Sequence, residues 1–472
     1  LGDKPAEVEK LGIDHVPEEM RHGSPNRTFT LWFAANLTIA DYVVGVLCVL
    51  PGSMGGFGLT VPQAIPVLIL GNLLGGLFLG LAAGMGPSLG FPQMLSSRAS
   101  FGRFGNYIPG ALNWISTVGW FSVNTILAVI ALQVVFPGAD FALGAAAYVI
   151  IQAVIAIYGH DFIHLFEKVM SVVLGVLFLG LFLLAVPHLG TAMSSAPLPS
   201  AGSATWGAFG GALVAAFSYL MSWSPYASDY SRYFPSGTSK GKVLTLALAG
   251  GAVSSFAVEG VGAVVGRLTW QNPGTAFFGP LYTFAGAYGG LAMLTLILGA
   301  FAADALNLYT NSLSALVLDV KAKRWVTVAA GGVAGFAIAV AVGPNFEGFF
   351  ENFLFALSYW ITPWLAIVIV DFYVAKRTTV EASANPASWD WRALGVYGLS
   401  ILVSVPFMVP LISTGYPVGA LSSWFGGADF SYYISFAVAF VLMLFVRTRG
   451  TRKAAQAGPP QTAGTKPSPA EV

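Results

Sequence analysis

Apolar runs of about twenty residues recur twelve times along this chain, the length at which a helix crosses the ~30 Å hydrocarbon layer of a bilayer. They lie at 29–52, 59–83, 107–136, 141–159, 165–187 and 205–227, then at 243–268, 288–318, 325–342, 347–374, 392–413 and 427–447. A soluble domain carries about a quarter of its residues charged. Here 9% of 472 residues are charged and the mean hydropathy is +0.73. In lipid, each backbone polar group must bond within its own segment or a closed barrel. The expected fold class is therefore an all-α polytopic membrane protein with 12 transmembrane helices. Its 56 glycines and 27 prolines suit helices that pack closely or break.

Charge orients the spans. With the N-terminus inside, 21 of the 22 Lys and Arg fall on the inner side and only Arg267 falls outside. That bias follows the positive-inside rule and puts both termini in the cytoplasm of a cell membrane, plasma or inner. The polar stretch up to Arg27 predicts that the first helix serves as its own insertion signal. Residues 1–28 read as a cytoplasmic tail, 29–374 as a core of two five-helix halves (29–187 and 205–374), and 392–447 as two further helices. The Ala-, Pro- and Gly-rich stretch 448–472 reads as disordered. A net charge of +1 gives no argument for nucleic acid, and no such partner is expected. The lone Cys48 excludes an intramolecular disulfide.

Polar residues inside the spans carry the functional signal, because an ionisable group in lipid faces a protein interior or a wet cavity. Asp304, Asn307 and Asn311 follow the run 291–298 at i, i+3 and i+7, on one helical face. Asp41 lies within the first span, after Asn36-Leu37-Thr38, and Glu259 lies in the middle of the seventh. The sixth span is interrupted at Trp223-Ser224-Pro225, where proline removes a backbone donor. Interruptions at matching places in two halves point to a transporter site between inverted repeats. Asp41 and Trp223 are 182 residues apart, and Asn124 and Asn307 are 183 apart, which fits five spans repeated. Trp120 and Asn124 share a face of the third span. An indole to stack on and an amide to read an edge suit a flat, polar-edged heterocycle.

These pieces resemble the nucleobase–cation symporters of the purine–cytosine permease type across essentially the whole membrane portion. The resemblance rests on Trp32-Phe33-Ala34-Ala35-Asn36, Ser97-Arg98-Ala99-Ser100-Phe101-Gly102-Arg103-Phe104-Gly105, Trp120-Phe121-Ser122-Val123-Asn124, Trp223 with Asp229-Tyr230-Ser231-Arg232-Tyr233, and Asn307-Leu308-Tyr309. It implies a LeuT-like fold, in which spans 1–5 and 6–10 are inverted repeats and spans 1 and 6 unwind at the site. It also implies a ring held by Trp120 and Trp223, with Ser224 beside it, and edge hydrogen bonds from Asn124 and Asn307. Asn at 124 resembles the fungal members, which favours cytosine or a purine.

One departure concerns the coupling ion. Sodium-coupled relatives carry a Ser-Thr pair where this chain has Phe301 and Ala302, neither of which offers a side-chain oxygen. Burial in low dielectric favours the neutral form of a carboxyl group, so such a group can load and release a proton. Asp41, Asp304 and Glu259 are the candidates for that role. The expectation is proton-coupled import of a nucleobase by a monomer through alternating access, with no cofactor. The alternatives are sodium-coupled import of allantoin, hydantoin or uracil, or a receptor or channel. Asp229 and Arg232 are candidates for an inner gate, the alternative being that they only pair with each other or with Arg98 or Arg103. His160, Asp161 and His164 have metal-like spacing but no second cluster, and no metal site is expected. With no P-loop and no nucleophile–base constellation, an enzyme is not expected.

Overall fold

A computed structural model describes residues 9, 11–196, 205–271, 277–343, 347–409 and 419–456. Among them, nine helices are long and apolar enough to cross a membrane, or ten if the bent pair α1 (Asn26–Ala35) and α2 (Ile39–Val49) counts as one span. The main helices that follow are α3 (Val61–Ala83), α4 (Tyr107–Val135), α5 (Phe141–Tyr158) and α6 (His160–Ala185). Next come α7 (Thr205–Met221), α8 (Ala227–Ser231), α9 (Lys240–Thr269), α10 (Gly289–Val317) and α11 (Arg324–Val342). The chain ends with α12 (Glu347–Ile369), α13 (Trp391–Ser404) and α14 (Ser431–Gln456). The expected sixth and eleventh spans appear as the shorter apolar helices Thr205–Met221 and Trp391–Phe407. α14 runs past residue 447 to Gln456, and 457–472 lie outside the described residues.

The first span breaks where its sequence turns polar. α1 and α2 meet at 60° across Asn36-Leu37-Thr38. The Asn36 amide donates back to Trp32 O at 2.7 Å, and the Thr38 hydroxyl caps α2 by accepting from Asp41 N at 3.3 Å. Side chains thus replace backbone bonds that a continuous helix would have made. The sixth span breaks between α7 and α8, in a tight turn at Ser224–Tyr226 that contains Pro225. The two breaks meet, because Trp223 Nε1 donates to Asn36 Oδ1 at 2.9 Å.

Packing separates two groups of helices. α9 packs along α1, α2 and α3, and α3 packs along α7, so the broken spans belong to one bundle. α4 packs along α10, and α11 packs on both α4 and α5, which makes the other group. The groups touch at Gly299, where a Cβ would stand 2.1 Å from Leu37 O. Only glycine lets α10 approach the break in the first span so closely.

Outside this core, α14 packs on α12 and α13. Arg447 reaches from α14 to Asp371 with a bidentate pair at 2.8 and 2.9 Å, and to Asp390 at 2.9 Å. Asp371 is fully buried where α12 loosens into a π turn at Val370–Val374.

Candidate functional site: three polar clusters in the helical core

The face bearing Asp304, Asn307 and Asn311 has two uses. Asn311 donates to Thr117 Oγ1 at 2.9 Å and Trp114 O at 3.1 Å, so it knits α10 to α4. One to two turns earlier, Asp304 Oδ1 accepts from both Asn124 Nδ2 (2.9 Å) and Asn307 Nδ2 (3.0 Å). Its Oδ2 accepts from the Tyr148 hydroxyl of α5 at 3.1 Å. Tyr226, at the break of the sixth span, donates to Asn307 Oδ1 at 3.0 Å. The structure therefore brings Asn124, Asn307 and Asp304 into one fully buried cluster that links both helix groups.

Trp120 lies edge-to-face on Tyr219 (5.3 Å between centroids) and on Phe353 (5.2 Å). Trp223 instead packs against Trp32 (5.5 Å) and Tyr226 (5.4 Å). The two indoles thus hold separate ring partners, and the sixth-span aromatic that packs on Trp120 is Tyr219, about one turn before Trp223. Three atoms at these expected site residues are buried without a hydrogen-bond partner: Trp120 Nε1, Asn124 Oδ1 and Ser224 Oγ.

The second cluster joins two of the expected coupling residues. Asp41 of α2 and Glu259 of α9 are both fully buried, and the Asp41 carboxyl has Glu259 and Ser255 as side-chain neighbours. Asn72 of α3 donates to Glu259 Oε2. The third candidate, Asp304, belongs to the amide cluster instead. Phe301 packs at a tilt on Tyr148, 4.6 Å between ring centroids, and its carbonyl accepts from Gln152 at 2.9 Å, so an aromatic ring fills that position.

The third cluster closes the basic end of the core. Arg232 and Asp229 take separate partners rather than each other. Arg232 is fully buried and reaches Glu9 Oε1 at 3.3 Å and Gly12 O at 3.0 Å. Glu9 also accepts from Tyr309 OH at 3.0 Å and Tyr233 OH at 2.5 Å. Asp229 accepts from Gln93 N at 2.8 Å and Thr310 Oγ1 at 2.7 Å. Arg98 and Arg103 bind Asp319 instead, at 3.0 and 2.9 Å, with Tyr107 as a third donor. Burial alone would raise the Asp319 carboxyl, but the hydrogen bonds from Arg103, Tyr107 and Arg98 together outweigh it and push it down to about 2.

Among the described residues, one group of potential metal ligands is compact: His22, His160 and Asp161. Asp161 Oδ1 is hydrogen-bonded to both imidazoles at 2.9 Å, while His164 turns to Tyr230 O at 3.4 Å. His160, Asp161 and His164 lie in the first turns of α6, and His22 comes from the segment before α1.

Several residues at the clusters escaped the sequence reading. Tyr226 follows Pro225 directly, and Tyr148 and Gln152 form an i, i+4 polar pair in an otherwise apolar run. Both were visible signals. Asn72 and Tyr219 are polar groups in largely apolar helices, and no motif around them distinguishes them.

A buried amide–carboxylate cluster beside two broken spans suits recognition of a small polar ring within a membrane. Comparison with known proteins bears on that reading. The family model described as "Permease for cytosine/purines, uracil, thiamine, allantoin" matches residues 15–438. The chain belongs to that family of permeases. It is 31% identical to the putative purine-cytosine permease YxlA of Bacillus subtilis (strain 168), covering 92% of this chain and 95% of that protein. It is 28% identical to the purine-cytosine permease FCY2 of Saccharomyces cerevisiae, covering 93% and 86%. The fold matches that of Mhp1, a nucleobase-cation-symport-1 family transporter, in a closed conformation with bromovinylhydantoin bound. The TM-score is 0.75 at 17% identity, covering 96% of this chain and 98% of Mhp1. The LeuT-like fold implied by the sequence is the fold of this permease, which is a transporter and not an enzyme.

Proposed function

We propose that this permease is a secondary active importer of a nucleobase, cytosine or a purine, coupled to protons and working by alternating access. The observation that carries the reading is the set of unpartnered buried atoms at the expected site residues, Trp120 Nε1, Asn124 Oδ1 and Ser224 Oγ, the second of them within the Asp304 cluster. Leaving a buried polar group unpaired costs about 1–3 kcal/mol, so native interiors pair nearly all of them. A flat ring with donors and acceptors on its edge would supply the missing partners. The purine-cytosine permeases to which the chain is similar carry such a substrate in their names.

Trp120 offers the ring a face, in a stack worth on the order of 1–3 kcal/mol by analogy with base–aromatic stacking. Asn124 and Asn307 read its edge, and an analogue lacking the matching group would strand a buried amide. Trp223 and Asn36 tie the two breaks together, so movement at one break is felt at the other. Substrate and proton favour each other's binding by the same factor, as linkage requires. Proton coupling is supported by the aromatic filling of the Phe301 position and by the carboxyls of Asp41 and Glu259 buried in the bundle. The bias of 21 of 22 basic residues supports a cell-membrane location with both ends cytoplasmic. In this reading the transporting unit is the monomer.

Uptake into proteoliposomes tests the reading, using a panel of labelled nucleobases under separately imposed pH and sodium gradients. A pH gradient alone should drive accumulation of cytosine or a purine. Uptake that needs sodium and ignores pH removes the proton. Binding without accumulation under either gradient removes the symporter.

A further inference from the structure

We propose that Asp41, Asn72, Ser255 and Glu259 form the coupling-cation site, built within the bundle and separate from the Asp304 cluster that binds substrate. Asp41 lies on α2, Asn72 on α3, and Ser255 and Glu259 one turn apart on α9. All four are at most 1% exposed. Five of their oxygens close no hydrogen bond of normal geometry: both of Asp41, Glu259 Oε1, Asn72 Oδ1 and Ser255 Oγ. Two carboxyl groups in contact cannot both stay charged in a low-dielectric interior without a compensating positive charge. Among the described residues, the titratable groups that feel the pair are Tyr219 from α7 and the Cys48 thiol from α2, and neither carries a positive charge. A monovalent cation does. Under the proton reading it is a proton shared between the carboxyls, and the same oxygens would also suit a hard metal ion.

The arrangement is held closely. A Cβ on Gly45, one turn after Asp41, would stand 1.9 Å from Glu259 O, so α2 and α9 touch backbone to backbone. The site also has a physical link to the substrate. Trp120 packs on Tyr219, whose hydroxyl bonds Thr38 Oγ1 at 2.7 Å, and Thr38 caps the backbone of Asp41. A ring arriving at Trp120 therefore bears on the helix end that carries Asp41. Asp304, with both oxygens engaged by three donors, serves the substrate amides.

The inference rests on cation-driven transport, but it fails separately from the proton reading. Glu259→Gln and Asp41→Asn are compared with the wild type in three assays. These are equilibrium binding of labelled nucleobase against pH and sodium, counterflow exchange, and gradient-driven accumulation. Exchange cycles the loaded carrier without releasing the cation, so both variants should keep it. Both should lose accumulation, and substrate binding should no longer respond to whichever cation the wild type requires. If the wild type responds to sodium alone, the proton reading falls while the site stands. If either variant keeps wild-type accumulation and cation dependence, the site is refuted. Ser255→Ala and Asn72→Ala ask the same question should a carboxyl variant fail to fold. They should shift the cation dependence of binding, and an unshifted profile in both refutes the site.

Discussion

Asp304→Asn tests the organisation of the substrate cluster most directly. Asp304 Oδ1 holds two amide donors, at 2.9 and 3.0 Å. A bond to a charged group is worth about 1.5–3 kcal/mol net and a neutral one about 0.5–1.5. Replacing the carboxylate with an amide of equal size therefore weakens each bond by about 1 kcal/mol. The new NH2 group faces Tyr148, whose hydroxyl can rotate to accept, so that contact survives. The loss is thus about 2 kcal/mol, concentrated on the orientation of Asn124 and Asn307. At 1.4 kcal/mol per decade, substrate affinity should fall by roughly 10- to 100-fold. Equilibrium binding of labelled cytosine or adenine to purified protein measures it. Freed amides can also turn over, so analogues lacking one edge donor should be discriminated less sharply than by the wild type. Whatever binding remains should keep the wild-type response to pH, because the coupling pair is untouched. Wild-type affinity together with an unchanged ranking of analogues would refute the amide-orienting role.

Other perturbations probe separate parts of the structure. Trp120→Ala should weaken binding of a ring substrate by roughly 10- to 100-fold while the protein still purifies as a monodisperse species; unchanged affinity removes Trp120 from the site. Arg447→Leu leaves the fully buried Asp371 without its bidentate partner, and it should destabilise by about 3–5 kcal/mol, visible as a lower melting temperature in detergent. The depressed Asp319 carboxyl favours the folded state above its ordinary unfolded value near 4, and that contribution is lost as pH falls toward about 2. Asp319→Asn should therefore melt below the wild type at neutral pH, and the gap should close in acid. Glu9→Gln loosens the contacts from Arg232, Tyr233 and Tyr309, and it should raise labelling of a cysteine placed near Tyr309 from the basic end.

Much of the fold was legible because lipid leaves few options. Apolar runs had to be helices, and Pro225 and the Asn36-Leu37-Thr38 stretch marked both breaks correctly. The span at 205–227 shows what such reading averages over. The span is counted as one run to 227, but the α-helix stops at Met221 and resumes at Ala227 after a tight turn. The candidate site was legible by residue type and not by partnership. Asp229 and Arg232 stand i, i+3 on one segment, a spacing that suggests a pair. Yet Arg232 turns to Glu9, more than two hundred residues earlier, and Asp229 turns to Gln93 and Thr310. Periodicity tells where a side chain points along its own helix. It says nothing of the groups that another helix brings there.

The same limit explains why three polar residues at i, i+3 and i+7 on α10 have different fates. Asn311 finds a hydroxyl and a carbonyl on α4 and becomes a joint between helices. Asp304 finds two amides and a phenol and becomes their anchor. Asn307 sits between that anchor and Tyr226, at the break of a helix in the other group. By the rule that intramembrane polar residues mark function, all three qualify equally. What separates them is how fully each is satisfied by its neighbours. By that measure a stronger demand for a missing partner lies elsewhere, in the two adjoining carboxyls of Asp41 and Glu259. Both sit in apolar helices of the bundle, 218 residues apart in sequence. Helices that must move past a bound ring have reason to carry their buried carboxyls together, where one cation can neutralise them while the loaded carrier crosses and then leave with the ring.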